Sequence, residues 1–370
     1  MQPGRKQKLN QRCRTYGDER LHWLVAIGRC CGGAALHLIL ALVVAGCAAP
    51  IAVRRASPEA VHRALTGSVL STGKPSEFSL IALRQHDLIE GFDNNPEVAL
   101  AALRDQVIRE AGDTQGLFAL AELSFFHAEH SKKKPYFLAA AIYAYAYLFP
   151  SEKAQQPDPL DSRFRLACDL YNRALTEALK SENGERVQLV AGSYELPFGT
   201  LSVAFDESQL LLGNRRLVDF VPTGEFEVTG LRNLYRQPGL GAPLAAKTEP
   251  AGPNDPAASL VGPNVRVAAT ALLRLDWPRQ QVAGDELRGR LELHAGSEEE
   301  RIELDGKSVP LELEPSVALA LALTEVRPWE AELGSFLGSL VNVHRPVLQL
   351  FARGPYRGPN PRGVCARHGL

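Results

Sequence analysis

The chain has 370 residues, 45% of them hydrophobic and 22% charged, with a net charge of −1. That is ordinary globular composition, enough for one or two domains. The near-zero charge excludes the basic footprint of a nucleic-acid binder, so no nucleic acid is expected among the partners.

The N-terminus comes first in chain order. Lys6, Lys8, Arg12 and Arg14 make a basic start. An apolar run follows, densest from Ala34 to Val44 and broken by His37, and it closes on Val44-Ala45-Gly46-Cys47. Positive start, apolar centre and small residues at the cut form the order of a secretory signal, here residues 1–46. An uncleaved transmembrane helix over residues 30–53 is the alternative, because about 20 apolar residues span a bilayer. The segment is long for a signal, and Val25 offers a shorter start with Arg29 as its basic residue. Cys13, Cys30 and Cys31 lie within the segment, which leaves Cys168 and Cys365 beyond Cys47. Cys168 sits in a helical stretch and reads as a core residue. Neither a CxxC pair nor a Cys/His cluster occurs, so no metal and no other cofactor is expected.

After a tether at 47–56, residues 57–183 read as a helical domain. Ser57-Pro58-Glu59 and Asn95-Pro96-Glu97 combine a capping side chain, Pro at the first helical position and an acid facing the helix dipole. Asp113 or Thr114 caps the next helix, which carries Leu117, Leu120, Ala121 and Phe125 at helical spacing. Lys132-Lys133-Lys134-Pro135 breaks the pattern, and Leu138, Ala141, Ile142, Tyr145 and Leu148 resume it. Two Ala-rich helices with a short break predict a close antiparallel pair. This pair looks faintly like a tetratricopeptide unit, but no repeat near 34 residues is present. A last helix spans about Asp161 to Lys180, after a break at Pro150–Pro159.

Residues 184–352 read as β-rich. Val187–Ala191, Thr200–Phe205, Leu217–Val221, Glu225–Thr229, Val265–Leu275 and Arg288–His294 are short segments bounded by turn residues. Residues 238–264 hold Pro, Gly and Ala without period and read as a loop. Arg301–Leu313 reads as a hairpin across Asp305-Gly306. Val317–Leu323 is apolar throughout and fits strand or helix. Pro328–Leu340 reads as a helix and Val347–Phe351 as a strand. Residues 353–370 form an irregular basic tail. The expected class is α+β, with antiparallel helix pairs followed by a β-rich part.

No catalytic signature is complete. The chain lacks G-x-S-x-G, H-E-x-x-H, a P-loop and G-x-G-x-x-G. His127 and His130 share a helix turn at i, i+3, which a metal pair can use; without a third ligand, a solvated helix end is the ordinary reading. Glu298-Glu299-Glu300, Arg215-Arg216 and Arg353 read as surface charge. Tyr143, Tyr145 and Tyr147 read as packing. No catalytic residue is assigned.

The Cys directly after Ala-Gly makes the first segment resemble a lipoprotein signal. That resemblance implies that the Cys47 thiol takes a diacylglyceryl group and becomes the new N-terminus. Acyl chains such as palmitate then hold the protein by burying methylenes, at roughly 0.8 kcal/mol each. The implied partner is membrane lipid and the implied location is the cell envelope. Residue 48 is Ala rather than Asp, which favours the outer membrane, facing the periplasm.

Four further stretches resemble a family of large bacterial lipoproteins whose C-terminal half is an α/β-hydrolase domain. They are Gly116-Leu-Phe-Ala-Leu-Ala-Glu-Leu-Ser124, Leu138-Ala-Ala-Ala-Ile-Tyr-Ala-Tyr-Ala-Tyr-Leu-Phe-Pro150, Leu231-Arg-Asn-Leu-Tyr-Arg-Gln-Pro-Gly-Leu-Gly-Ala-Pro-Leu244 and Gly306-Lys-Ser-Val-Pro-Leu311. The likeness covers about residues 55–355, and its motifs are structural. In that family a strand such as Val347–Phe351 leads, through a second strand, to a His-Gly-Thr oxyanion turn. The elbow Ser, the acid and the His come later in the chain. Here Asn360–Leu370 stands in that place and matches nothing in the family. Its codons, shifted by one base, can spell Ile-Pro-Val-Val-Phe-Val-His-Gly-Thr-Ala-Ser.

The expectation is therefore the N-terminal, pre-catalytic portion of a membrane-anchored esterase- or lipase-type hydrolase, frameshifted near residues 354–360 and inactive alone. Its β part would lead into an α/β-hydrolase sheet and leave an unpaired edge. The alternative is a complete, non-enzymatic envelope lipoprotein that uses its helical part as a binding or scaffold platform for a protein partner.

Overall fold

The computed structural model describes residues 53–325, apart from 111–112, 151–156, 232, 253–263 and 297–300. The signal segment, Cys47, Glu298-Glu299-Glu300, the helix read at Pro328–Leu340, the strand read at Val347–Phe351 and the tail with Arg353 and Cys365 all lie outside the described residues. The first described residues, up to Val61, fall in a unit of their own; the described residues from His62 onward form one compact unit.

The helices run in chain order as α1 (Pro58–Thr66), α2 (Val69–Thr72), α3 (Glu77–Gln85), α4 (Ile89–Asn94), α5 (Pro96–Arg109), α6 (Thr114–Ser131), α7 (Lys134–Leu148) and α8 (Ser162–Leu179). Their starts are where the capping residues place them. Ser57 Oγ accepts from the Ala60 amide at 3.2 Å. Asn95 Oδ1 accepts from Val98 at 3.4 Å, and Asp113 Oδ1 accepts from Gly116 at 2.8 Å. Lys132 ends α6 in a left-handed turn at φ 58°. α7 is buried along its whole length from Tyr136 to Leu148, which is why its side chains show apolar character on every face rather than on one stripe. Tyr143, Tyr145 and Tyr147 pack inside it, against Phe198, Tyr171 and Phe118.

The β part comprises β1 (Gly192–Leu196), β2 (Gly199–Phe205), β3 (Leu211–Leu212), β4 (Arg215–Pro222), β5 (Ala242–Pro250), β6 (Arg266–Leu275), a short helix α9 (Pro278–Val282), β7 (Glu286–Ala295), β8 (Arg301–Leu304), β9 (Lys307–Pro310) and a final helix α10 (Pro315–Glu325). Seven strands form one sheet in the order β1-β2-β7-β6-β5-β4-β3. Within it β2–β7 is parallel and the other pairs are antiparallel. β8 and β9 form the hairpin, with Asp305 (φ 50°) and Gly306 (φ 71°) at its turn. Two consecutive positive φ angles define the type I′ turn that Asp-Gly favours. The class is α+β.

Three sequence expectations fail in the β part. Val187–Ala191 is not a strand: Val187 makes isolated bridges to Lys180 and Phe220, and regular pairing starts at Gly192. Glu225–Thr229 is not a strand either, since Thr223–Glu225 turns and residues 226–229 join no sheet. Residues 238–264 are not simply a loop, because β5 runs through them between β4 and β6. Its Ala-Pro-Leu-Ala-Ala start carries no β signal, yet all five residues are buried. Small side chains are what the place requires: α8 and α10 both contact this strand, and the Ala residues let them come close. The two-way apolar stretch at Val317–Leu323 is helical, within α10.

One face of the sheet, carrying Leu201, Leu273, Leu287 and Leu291, shares a core with α6, α7 and α8. The other face buries Ala245 and Ala268 against Ala318 of α10. The change of structure type near residue 183 is thus not a break in the core.

Two buried polar joints hold this arrangement. Tyr171 of α8 is fully buried. Its hydroxyl donates to Leu273 O at 2.7 Å and accepts from Leu273 N at 2.8 Å. Pairing between β5 and β6 stops at Ala242↔Ala271, two residues short, so a helix side chain takes the place of a strand. Tyr171→Phe would leave both Leu273 groups unsatisfied, at about 1–3 kcal/mol each. We expect urea denaturation to show a loss of about 2–4 kcal/mol.

The second joint is Arg266, 2% exposed, which donates to Asp219 O at 2.9 Å and to Asp219 Oδ2 at 2.5 Å. Arg186 also donates to Asp219. Asp219 sits at φ 51° in a bulge of β4. Burial pushes its carboxyl up, but the Arg266 and Arg186 hydrogen bonds and charges outweigh burial and hold it below the usual range. A depressed folded pKa contributes stability that is complete above the unfolded value, near pH 4, and is lost as pH falls through the folded value. Asn tolerates the left-handed turn. Stability of Asp219→Asn, read from urea midpoints between pH 5 and pH 2, should therefore fall less steeply than wild type.

Candidate functional site

A cleft of about 1000 Å³ opens beside α8. One face of that helix supplies Arg165, Asp169, Asn172, Arg173 and Thr176 at helical spacing. α2 and α6 add Val69, Leu70, Phe125, Glu129 and His130. The opposite wall is Arg236, Pro243, Glu312 and Glu314.

Its centre is the carboxylate of Glu312, 1% exposed. Oε1 accepts from Arg236 Nε at 2.6 Å, and Oε2 accepts from the Gly239 amide at 2.6 Å. Arg165 lies 3.6 Å from Oε2 and bonds Asp169 at 2.5 Å. Arg236 also lies 3.4 Å from Glu314. Burial would lower the Arg236 guanidinium, but the hydrogen bond and charge of Glu312 outweigh it and raise it. Arg173 bridges Glu177 at 3.0 Å and Glu225 at 3.6 Å. The segment that carries Arg236 is pinned from beneath. Asn172 donates to Gly239 O at 3.1 Å and accepts from Gly241 N at 2.6 Å. A side chain at Gly239 has no room, because a Cβ there would lie 2.3 Å from Pro310 O.

The cleft combines apolar side chains (Val69, Leu70, Phe125 and Pro243) with charged ones. Its guanidinium and carboxylate groups are mutually paired, so it suits ligands that bring both donors and acceptors. Among the lining residues, His130 makes its Nδ1 contact with Phe126 O at 2.8 Å, and the Thr176 hydroxyl donates to Asn172 O at 2.8 Å. Neither is aligned with the other as nucleophile and base. Glu312→Gln would set an amide N–H against either Arg236 or the Gly239 amide. It should cost about 2–3 kcal/mol and raise amide hydrogen exchange across residues 235–241.

The solvated-helix-end reading holds for His130, which is exposed one residue before the end of α6, but not for His127. His127 is 8% exposed, packs edge-on against Tyr136 and lies 3.2 Å from Glu97, which Lys133 also bonds. Among the described residues, no group of three or more His, Cys, Asp or Glu is placed to hold a metal. Cys168 packs against the core, and burial pushes its thiol up to about 12, leaving it protonated at neutral pH. Arg215 is half-buried and donates to Thr248 Oγ1 at 3.1 Å rather than standing free as surface charge; Arg216 is exposed, 3.6 Å from Glu207.

Sequence reasoning missed the buried acids. Glu122 is fully buried in α6. Its carboxylate accepts from Val69 N and Ser76 N, both at 3.0 Å, and from the Ser76 and Ser79 hydroxyls, both at 2.5 Å. It thereby closes the starts of α2 and α3, which leave amides without helical partners. The signal was present: Glu122 is the lone charge in an otherwise apolar run. Glu312 offered no such signal, because Leu311-Glu312-Leu313-Glu314 reads as plain alternation with acids on the wet face.

No protein-family model, no curated protein and no solved structure matches this chain. Among the described residues, no helix is long and apolar enough to cross a membrane.

Proposed function

We propose that this protein is a membrane-anchored envelope lipoprotein, acylated at Cys47, and the pre-catalytic N-terminal portion of an α/β-hydrolase-type protein. The observation that carries the reading is the ordered signal, basic then apolar then Val44-Ala45-Gly46-Cys47. The hydrolase side of it is supported by the four stretches that carry the family resemblance. They lie together in two packed pairs. Gly116–Ser124 in α6 lies against Leu138–Pro150 in and after α7. Residues 237–240 bridge residues 310–313 through backbone bonds: Leu240 N to Pro310 O at 2.9 Å, Glu312 N to Leu240 O at 3.1 Å, and Gln237 with Leu313 in both directions at 2.8 and 3.0 Å. Residues of all four belong to one hydrophobic core; on this reading the catalytic residues would be supplied elsewhere.

The ion-paired cleft favours a second reading, a non-enzymatic binding or scaffold lipoprotein with a protein partner at the helical part. Two experiments divide these. In cells expressing the full chain and fed labelled palmitate, wild type should take up label and Cys47→Ala should not; an unlabelled wild type sinks the anchor. An ester-hydrolysis assay on this chain and on a version with the shifted frame restored should show activity only in the latter. Activity in neither favours the scaffold, and activity in both places a catalytic site within these 370 residues.

A further inference from the structure

The helix α1 buries none of its residues. Every residue from 53 to 66 is exposed, including Val61 at 46% and Leu65 at 68%. A nine-residue helix is marginal alone in water. Its residues nevertheless sort cleanly by angle. Ala60, Val61, Ala64 and Leu65 share one side, while Glu59, His62, Arg63 and Thr66 share the other. The approach to it is basic: Arg54, Arg55 and Arg63 stand against Glu59, so three Arg and one Glu leave a net charge of +2 over residues 53–66. The whole chain, by contrast, carries −1. An apolar side with basic residues around it is the pattern of a helix lying in a membrane interface.

The length of the tether selects the occupant. Cys47 and Pro58 are separated by residues 48–57, which reach at most about 35–40 Å when fully extended. A bilayer surface that holds Cys47 is therefore always within reach of α1. Anionic headgroups attract basic residues within about one Debye length, near 8 Å in physiological salt.

We propose that Arg54, Arg55 and α1 form a second membrane contact that takes an anionic lipid surface. Ala60, Val61, Ala64 and Leu65 lie toward the acyl boundary, and Arg54, Arg55 and Arg63 lie among the headgroups. The geometry rests on the acylation of Cys47 proposed above. Together the two contacts make a two-point attachment, in which the first holds the second at high local concentration.

The test uses the full acylated protein, purified from membranes and reconstituted in vesicles of phosphatidylcholine, with or without phosphatidylglycerol. A protease site replaces residues 48–51, so that cutting removes the acyl anchor and leaves α1. After cutting, flotation should retain several-fold more protein on the anionic vesicles. The exposed double variant Val61→Asp/Leu65→Asp, or high salt, should abolish that retention. Complete release from anionic vesicles, or retention indifferent to the double variant, overturns the proposal. So does retention only in native membranes with their proteins present, which would assign the helix to a protein partner. The acyl reading fails separately: an uncut protein that carries no palmitate label breaks the anchor, whatever α1 does after cutting.

Discussion

Two adjacent residues of α8 bind the helical layer to the sheet. Tyr171 supplies, through one hydroxyl, the donor and the acceptor that β6 would otherwise find in a longer β5. Asn172 grips the backbone on either side of Leu240. Both are buried, where a lost hydrogen bond costs the full desolvation of the groups left behind. Much else depends on this seam. It sets where β5 begins, and it holds Gly239 against residues 310–313, where its amide meets Glu312.

The same seam makes the cleft. With Asn172 fixing the backbone at Gly239 and Gly241, the exposed Arg236 reaches Glu312 from one side, and Arg165 approaches from α8. Ion pairs between exposed groups contribute little. The partner of Arg236 and Arg165, however, is a carboxylate almost fully withdrawn from water, and such a group must be matched by donors. Glu122 obeys the same rule with amides and hydroxyls in place of a cation. Each buried acid joins segments far apart in the chain, one at the start of the helices and one at the close of the β part.

α1 stands outside this logic. Val61 and Leu65 are both exposed. It has a basic, amphipathic character, and ten residues separate it from Cys47 in sequence.

Local chemistry was legible in the sequence. Ser57, Asn95 and Asp113 announce their helices because a cap satisfies its own neighbours' amides and needs nothing distant. Asp305-Gly306 announces its hairpin because two adjacent positive φ angles are a local demand. The α+β class was readable for the same reason, since it lies in composition and short-range pattern. β5, the irregular stretches at Val187–Ala191 and Glu225–Thr229, and the burial of His127 and Glu312 were decided by tertiary structure. Strand pairing and desolvation depend on which segments meet across the chain. Ala242–Ala246 becomes a central strand only because two helices need small residues between them, and Glu312 becomes a buried acid only because Arg236 and Gly239 arrive beside it.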